Sequence, residues 1–121
     1  MTEDSAHHTA NDHLLEPLRS SRGNAATFAA ASELLRALSA PIRAQLVSLL
    51  DEHGALCVHE LVEALDVAQP LVSQHLRILR GAGIVIGERR GREVEYRLAD
   101  EHIAHIVNDA LTHSQEPSVG R

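Results

Sequence analysis

The fold is decided by one stretch, His59–Gly81, with the sequence HELVEALDVAQPLVSQHLRILRG. Apolar residues recur at helical spacing on both sides of a short connection, residues 66–68. Because proline is tolerated in the first turn of a helix, Pro70 allows the second helix to begin at Gln69. A short helix, a turn of three or four residues and a second helix with a polar outer face are typical of a helix-turn-helix. The apolar positions are Leu61, Val62 and Leu65 in the first helix, and Val72, Leu76 and Leu79 in the second.

The outer face of the second helix carries side chains that suit base edges and phosphates. Ser73, Gln74 and Arg77 lie opposite the apolar row, and Gln69 lies at the N-terminal end. Small or donor-rich side chains at these positions predict that the helix enters the major groove of DNA. Any two packed helices with a solvated face give the same pattern, so the helices alone leave a purely structural role open.

Two predicted strands, Ile84–Arg89 and Glu93–Leu98, follow the second helix. In the second strand, apolar and charged residues alternate, as they do in a half-buried strand. The connection Arg90-Gly91-Arg92 contains a glycine and is typical of a hairpin turn. A hairpin after a helix-turn-helix predicts a wing whose arginines follow the phosphate backbone or enter the minor groove. The arginines at its tip are Arg89, Arg90 and Arg92.

The net charge of −6 at first argues against a nucleic-acid partner. The charge is unevenly distributed, because residues 77–97 hold six arginines (77, 80, 89, 90, 92 and 97) and three glutamates (88, 93 and 95). All eleven basic residues of the chain are arginines, which favour bidentate contacts to phosphate and guanine. Since salt screens exposed charges beyond about 8–10 Å, the local excess matters more than the total and permits DNA binding.

The segment 98–116 is predicted to form the last helix. His102 and His113 are eleven residues apart, so they fall within roughly 20° around the helix axis but about 16 Å apart along it. An apolar stripe runs beside them, which predicts that the helix packs against another surface. The stripe consists of Ile103, Ile106, Val107, Ala110 and Leu111.

One copy of this helix cannot bring both imidazoles to one metal ion, because zinc–ligand bonds are about 2 Å long. An antiparallel second copy would place Asp100 and His102 of one chain beside His113 and Glu116 of the other. The spacing therefore suggests a metal site, a dimer and twofold symmetry together. Two other interpretations stay open: an exposed polar flank on a dimerisation helix, and a local set formed by His105, Asp109 and His113.

Four motifs in one register resemble a known family. They are LRALSAPIRAQLVSLL (Leu35–Leu50), LCVHEL (Leu56–Leu61), QPLVSQHLRILRGAGIV (Gln69–Val85) and GERRGREVEYRL (Gly87–Leu98). Together they resemble the ArsR/SmtB family of bacterial metal-responsive repressors over roughly residues 25–116. The resemblance implies a homodimeric winged-helix repressor that binds double-stranded operator DNA in the apo form and releases it when metal binds.

The last helix also resembles one branch of that family. Its SmtB-type zinc sensors carry the pattern D-x-H…H-x-x-E, and Asp100, His102, His113 and Glu116 match it residue by residue. The resemblance therefore implies a zinc site with these four ligands. Co(II) and Ni(II) stay open as alternatives, because the same nitrogen and oxygen donors also bind them.

Two departures from the family pattern affect the sites. Ala68 stands where the family often has a capping Ser or Thr, so the recognition helix is expected to lack a side-chain cap. The family's arsenic sensors have Cys-x-Cys where this chain has Cys57-Val58-His59, so an arsenical site is not expected. Some zinc sensors of the family have a second site at this cysteine. Its possible ligands here are Cys57, Glu60 and either His7, His8 or His13, and a buried, inert Cys57 is the alternative.

Length and composition set the remaining expectations. The 121 residues favour one domain, 25–116, after a flexible arm, 1–24, and before a tail, 117–121. Aromatic residues are only 2%, which suits a mainly α fold. The helices and strands predicted above add a small β-hairpin in the order α-α-α-α-β-β-α, and the resemblance implies a homodimer that forms through the terminal helices. One cysteine and no apolar run of membrane length predict a soluble cytoplasmic protein without a membrane partner. No catalytic motif appears, so an enzyme is not expected, and a metal-buffering dimer that does not bind DNA remains the rival.

Overall fold

A computed structural model describes residues 17–117 of the chain, which form five helices and three strands. The predicted mainly α winged helix-turn-helix is confirmed. The predicted arm lies mostly outside the described residues, and so do His7, His8, His13 and residues 118–121. The elements are α1 (Ala25–Leu38), α2 (Pro41–His53), β1 (Ala55–Cys57), α3 (Val58–Leu65), α4 (Gln69–Gly81), β2 (Val85–Arg90), β3 (Glu93–Leu98) and α5 (Glu101–Gln115).

Local sequence signals fix the helix ends. Asn24 caps α1 by accepting a hydrogen bond from the Thr27 amide at 3.0 Å. Asp100 caps α5 by accepting from the amides of His102 at 2.9 Å and Ile103 at 3.4 Å. Both caps satisfy amides that have no partner inside the helix. Ala68 precedes α4 without a side-chain cap, as expected, and Pro70 lies in the first turn of that helix.

Helix α2 lies at the centre of the domain. It contacts α1, α3, α4, α5 and β3, and its Leu46, Val47 and Leu50 are almost fully buried. Burial of a Leu or Val side chain contributes about 1.5–3 kcal/mol, so this row is a major source of stability. The other elements supply the rest of the core: Leu61 from α3, Val72, Leu76 and Leu79 from α4, Ile84 and Val85 around the start of β2, and Ile103 and Val107 from α5.

The sheet differs from the predicted two-stranded hairpin. It has three antiparallel strands in the order β1-β3-β2, because residues 55–57 pair with residues 95–97 of β3. A strand of three residues is too short to show the alternation that reveals a strand in sequence, so β1 was missed. The hairpin turn is also shorter than predicted. Arg90 pairs with Glu93 inside the ladder, and Gly91 takes the positive φ of +68° that the turn requires.

Arg43 ties three helices together. Its Nε donates to the Ala37 carbonyl of α1 at 2.6 Å, and its Nη1 lies 3.1 Å from His75 Nδ1 of α4. Because a guanidinium only donates, Nδ1 of His75 accepts, and the ring is neutral with its proton on Nε2. Burial, and secondarily the charge of Arg43, lower the pKa of His75 from its ordinary 6.5.

This contact predicts a loss of stability in mild acid. Since the pKa of His75 is lowered in the folded state, the unfolded chain binds more protons below pH 6.5. The contribution of His75 to the free energy of unfolding is therefore fully present above its unfolded pKa. It is lost as the pH falls through 6.5 toward the lower pKa of the folded state. Urea unfolding at pH 5.5 to 7.5 measures it. The free energy of unfolding should depend less on pH in His75→Gln than in the wild type. The matched control is His53→Gln, which replaces an exposed histidine. Equal pH dependence in all three proteins would contradict the assignment.

Candidate functional site

Helix α4 presents the predicted DNA-reading face to solvent. Its apolar row is buried against α2 and α3, which leaves Gln69, Gln74 and Arg77 exposed and Ser73 half-buried. The connection from α3 turns sharply because Asp66 takes a left-handed conformation with φ 55°. The structure therefore brings the four predicted side chains of this helix to one accessible face, where nothing in the described domain covers them.

The three wing arginines are exposed but not equivalent. Nη2 of Arg90 lies 3.2 Å from a Glu88 carboxylate oxygen, and its Nε lies 3.5 Å from one of Glu95. Arg89 and Arg92 form no ion pair among residues 17–117. Surface ion pairs are weak, but two carboxylates next to Arg90 reduce the positive potential that it offers to a phosphate. Among the three, Arg89 and Arg92 therefore keep the stronger positive potential at the tip of the hairpin.

The four proposed ligands of α5 form two separate pairs. Asp100 Oδ1 lies 3.4 Å from His102 Nδ1 at the start of the helix, and Glu116 Oε1 lies 3.9 Å from His113 Nδ1 at its end. All four side chains are more than half exposed. Each pair offers one nitrogen and one oxygen, which fits half of a tetrahedral zinc site. The pairs lie about 16 Å apart along the helix, so one chain does not close the site.

The alternative local set on α5 is not assembled. Among residues 17–117, the donor atoms of His105, Asp109 and His113 do not come within 4.8 Å of one another, whereas those of one other set do. The assembled set is Cys57, His59 and Glu93.

The surroundings of Cys57 differ from the predicted second site. A carboxylate oxygen of Glu60 accepts from the backbone N–H of Cys57 at 2.8 Å, so Glu60 caps the start of α3. Cys57 is half-buried and free, and its neighbours are His59 and Glu93. His59 Nδ1 lies 2.8 Å from Glu93 Oε1. The sequence reasoning gave neither residue a metal-binding role, because the link to Glu93 depends on pairing between β3 and the unpredicted β1.

The electrostatics at Cys57 keep its thiol protonated at neutral pH. A hydrogen bond to Glu93 is the first cause that raises the pKa of Cys57 to about 11, followed by burial and by the negative charges of Glu93, Glu60 and Glu95. A thiol in this state is a poor nucleophile, because the thiolate is the reactive form.

An apolar surface runs along α1 and α5. Phe28 and Leu35 of α1 are 51% and 54% exposed, and Ile106 and Leu111 of α5 are 37% and 41% exposed. Leu35, Ile106 and Leu111 line a groove of about 230 Å³ between the two helices. A contiguous cluster of exposed apolar side chains often marks an interaction surface, whereas single exposed apolar residues are common on any protein.

Comparison with known proteins identifies the family. Residues 40–86 match the model described as bacterial regulatory protein, arsR family. The HTH-type transcriptional regulator NmtR of Mycobacterium tuberculosis is 40% identical over 86 residues, which are 71% of each chain. The chain belongs to the arsR family. This is a family of regulatory proteins, not of enzymes.

Two further matches bear on the extent and shape of this arsR-family chain. The HTH-type transcriptional repressor SmtB of Mycobacterium tuberculosis is 63% identical over 90 residues, which are 74% of this chain and 66% of the relative. The match thus spans just under two thirds of that relative's length. A homodimeric winged helix-turn-helix domain of Mycobacterium bovis, described as a possible ArsR-family regulator, has a TM-score of 0.70 at 24% identity. It covers 88% of this chain and 96% of its own, and it confirms the fold. In the part of the chain that the structure describes, no helix is long and apolar enough to cross a membrane.

The high pKa of Cys57 predicts slow alkylation that depends on Glu93. At pH 8, Glu93→Gln removes the main cause of the raised pKa and should speed the reaction of iodoacetamide with Cys57. Each pKa unit recovered gives ten times more thiolate of somewhat lower nucleophilicity, so the net gain is about threefold to fourfold per unit. Glu95→Gln is the matched control, since Glu95 contributes least to the shift. Equal rates for Glu93→Gln and the wild type, measured by mass spectrometry, would refute the proposed contact.

Proposed function

We propose that this chain is a homodimeric, zinc-responsive transcriptional repressor that binds operator DNA in the apo form and releases it when Zn(II) binds. Asp100, His102, His113 and Glu116 would hold the ion, with one pair of ligands from each chain. The observation that carries the proposal is the arrangement of α5, where two nitrogen–oxygen pairs lie at opposite ends of a helix beside an exposed apolar surface. The 63% identity to a repressor named SmtB supports it.

The apolar surface supports a dimer through the terminal helices. Phe28, Leu35, Ile106 and Leu111 would lose their exposure to water against the same residues of a second chain, because a twofold interface is self-complementary. An antiparallel α5 in the partner would bring the two ligand pairs to one another at both ends of the interface. The structural relative from Mycobacterium bovis is described as homodimeric, which agrees with this assembly.

The DNA-binding role rests on α4 and the wing together. Gln69, Gln74 and Arg77 suit base edges in the major groove, and Arg89 and Arg92 suit phosphates beside it. A twofold dimer presents two such surfaces, so it would read two half-sites about one helical turn apart. The separation of the two α4 helices must match that spacing, and the dimer helices set the separation.

Metal binding and DNA binding are linked through the separation of the two α4 helices. If zinc favours a dimer geometry that fits the operator less well, each ligand weakens the binding of the other by the same factor. A coupling of about 1–3 kcal/mol lowers operator affinity roughly 5–150-fold. When bound, Zn(II) supplies a fixed tetrahedral link between the chains. The protein residues supply the rest: Asp100 holds the start of α5 as its cap, and α5 packs on α2.

The number of ligands favours zinc over a metal that requires octahedral coordination. Two imidazoles and two carboxylates complete a tetrahedral zinc site, whereas an octahedral metal needs further donors. His105 is exposed on the same helix and would be the nearest additional imidazole in sequence. A repressor that responds to nickel or cobalt therefore remains the alternative within the same fold. The binding of each metal to His105→Ala separates the two proposals, because only the alternative uses His105 as a ligand.

Zinc should lower operator affinity in the wild type and not in His102→Ala/His113→Ala. We expect a fall of roughly 5–150-fold in the wild type, because the ligands couple to the dimer geometry. The double variant should keep its metal-free affinity for DNA, since both imidazoles are exposed and lie outside the core. Fluorescence anisotropy with a labelled operator measures both affinities. His53→Ala is the control, because it removes an exposed histidine that lies on α2, outside the proposed site. Unchanged wild-type affinity in zinc would end the sensor proposal.

The DNA surface predicts different effects for three arginines. Arg77→Ala should reduce operator affinity by about 1–3 kcal/mol if it contacts a base, and the loss should be specific to the operator. Arg92→Ala should weaken all DNA about equally and reduce the salt slope by about one, as the loss of a phosphate contact does. Arg90→Ala should have a smaller effect, because Glu88 and Glu95 already neutralise its charge. Binding titrations at several salt concentrations measure these slopes. A metal-buffering dimer would show zinc binding without operator binding in any of these proteins.

A further inference from the structure

We propose that Leu71 recognises thymine in the operator through contact with the 5-methyl group of the base. The thymine lies beside the base pair that Gln74 is proposed to contact. This inference rests on the proposed function and adds an apolar contact to the polar ones already assigned to α4. It depends on the composition of the first turn of α4, on the exposure of Leu71 and on its spacing from Gln74.

The first turn of α4 presents mostly carbon atoms to solvent. Ala68, Gln69, Pro70 and Leu71 are all exposed, and only Gln69 among them has a polar side chain. In a helix-turn-helix, the N-terminal residues of the second helix contact the base edges. The part of α4 expected to enter the major groove is therefore largely apolar.

Leu71 is exposed although the other leucines of α4 are not. It is 37% exposed, whereas Leu76 and Leu79 are at most 1% exposed. The amide of Leu71 donates to the Ala68 carbonyl at 3.0 Å, which closes the first turn and fixes the position of Leu71 on the helix. A single exposed leucine is ordinary on a protein surface. Its position at the start of the proposed recognition helix is what places this one against DNA.

Leu71, Gln74 and Arg77 form one oblique row on α4, because they follow one another at intervals of three residues. Each step along this row turns about 60° around the helix axis and rises about 4.5 Å along it. Since base pairs are stacked about 3.4 Å apart, neighbouring side chains of the row reach the same or adjacent base pairs. Leu71 therefore lies where it can contact a base next to the one assigned to Gln74.

The methyl group of thymine is the only alkyl group that a base pair presents in the major groove. The other distinguishing groups there are hydrogen-bond donors and acceptors, for which a leucine side chain is no partner. Leu71 placed against one of them would displace water without replacing its hydrogen bond, at a cost in free energy. Contact with a thymine methyl group instead buries apolar surface on both molecules. The chemistry of Leu71 therefore favours thymine over the other three bases at this position.

Uracil substitution tests the contact, because uracil pairs as thymine does and lacks only the methyl group. The probe is the duplex that the metal-free, full-length protein selects from a library of random sequences, with uracil replacing each thymine in turn. At one thymine per half-site, we expect the affinity to fall about fourfold, as the loss of one buried methyl group predicts. Fluorescence anisotropy at a single salt concentration measures the affinities.

Variants of Leu71 assign the effect to this side chain. Leu71→Ala should bind the thymine and uracil duplexes equally, and less tightly than the wild type binds the thymine duplex. Leu71→Met should keep part of the discrimination, because its side chain is also apolar and of similar length. Ile78→Ala is the matched control, since Ile78 is 39% exposed and lies on the same side of α4, about two turns further along. It should discriminate between thymine and uracil as the wild type does.

Two results would overturn the contact and leave the proposed repressor in place. One is an unchanged affinity after uracil substitution at every thymine, since no methyl group would then be recognised. The other is a uracil effect that persists in Leu71→Ala, which would assign it to the shape of the duplex, or to Pro70 if Pro70→Ala removes it. Failure of the metal-free protein to select any sequence from the library would instead overturn both the contact and the proposed function.

Discussion

Burial of one face of α2 is the interaction on which the rest of the structure depends. Leu46, Val47 and Leu50 of α2 are almost fully buried, and α2 contacts α5 as well as α3, α4 and β3. The helix that carries the proposed sensor and the helix proposed to read DNA therefore both pack on α2. Asn108 of α5 reinforces this packing through a 3.1 Å hydrogen bond to Asp51 of α2. A rigid-body shift of α5 cannot be absorbed locally, because close-packed interiors transmit displacement to their neighbours.

The helices were predictable from the sequence because their signals are local. Apolar spacing predicted α3 and α4 to within one residue and placed α5 within residues 98–116. The caps at Asn24 and Asp100 and the start at Pro41 agree with the usual preferences for helix ends. The proximity of Asp100 to His102 and of Glu116 to His113 was also predictable, since spacing along one helix determines these positions. Strand β1 was not predictable in this way. It exists because β3 offers it a partner, and that information is not contained in its three residues.

The second cluster of potential ligands was missed for the same reason. The resemblance to the family implies both Cys57 and Glu60 as ligands of a second site. The structure instead uses Glu60 as a cap and places Glu93, which is distant in sequence, beside the thiol. Helical spacing finds neighbours along the chain, whereas neighbours across a sheet appear only when the strand register is known. The difference between Arg90 and the other two wing arginines could not be predicted for the same reason. It depends on Glu95, which lies beside Arg90 across the hairpin.

Strand β1 has a consequence for how the hairpin meets the double helix. It supports only residues 95–97 of β3, so the part of the hairpin beyond Glu95 has no third strand beside it. That unsupported part extends about 10 Å from Glu95 to the turn, at roughly 3.3 Å per residue. Among the described residues, this part is held by the pairing of β2 with β3, whereas the base of the sheet is also held by β1. In the proposed DNA complex, a hairpin tip with fewer supports could adjust to a minor groove whose width varies with sequence, while its base stays fixed beside α4.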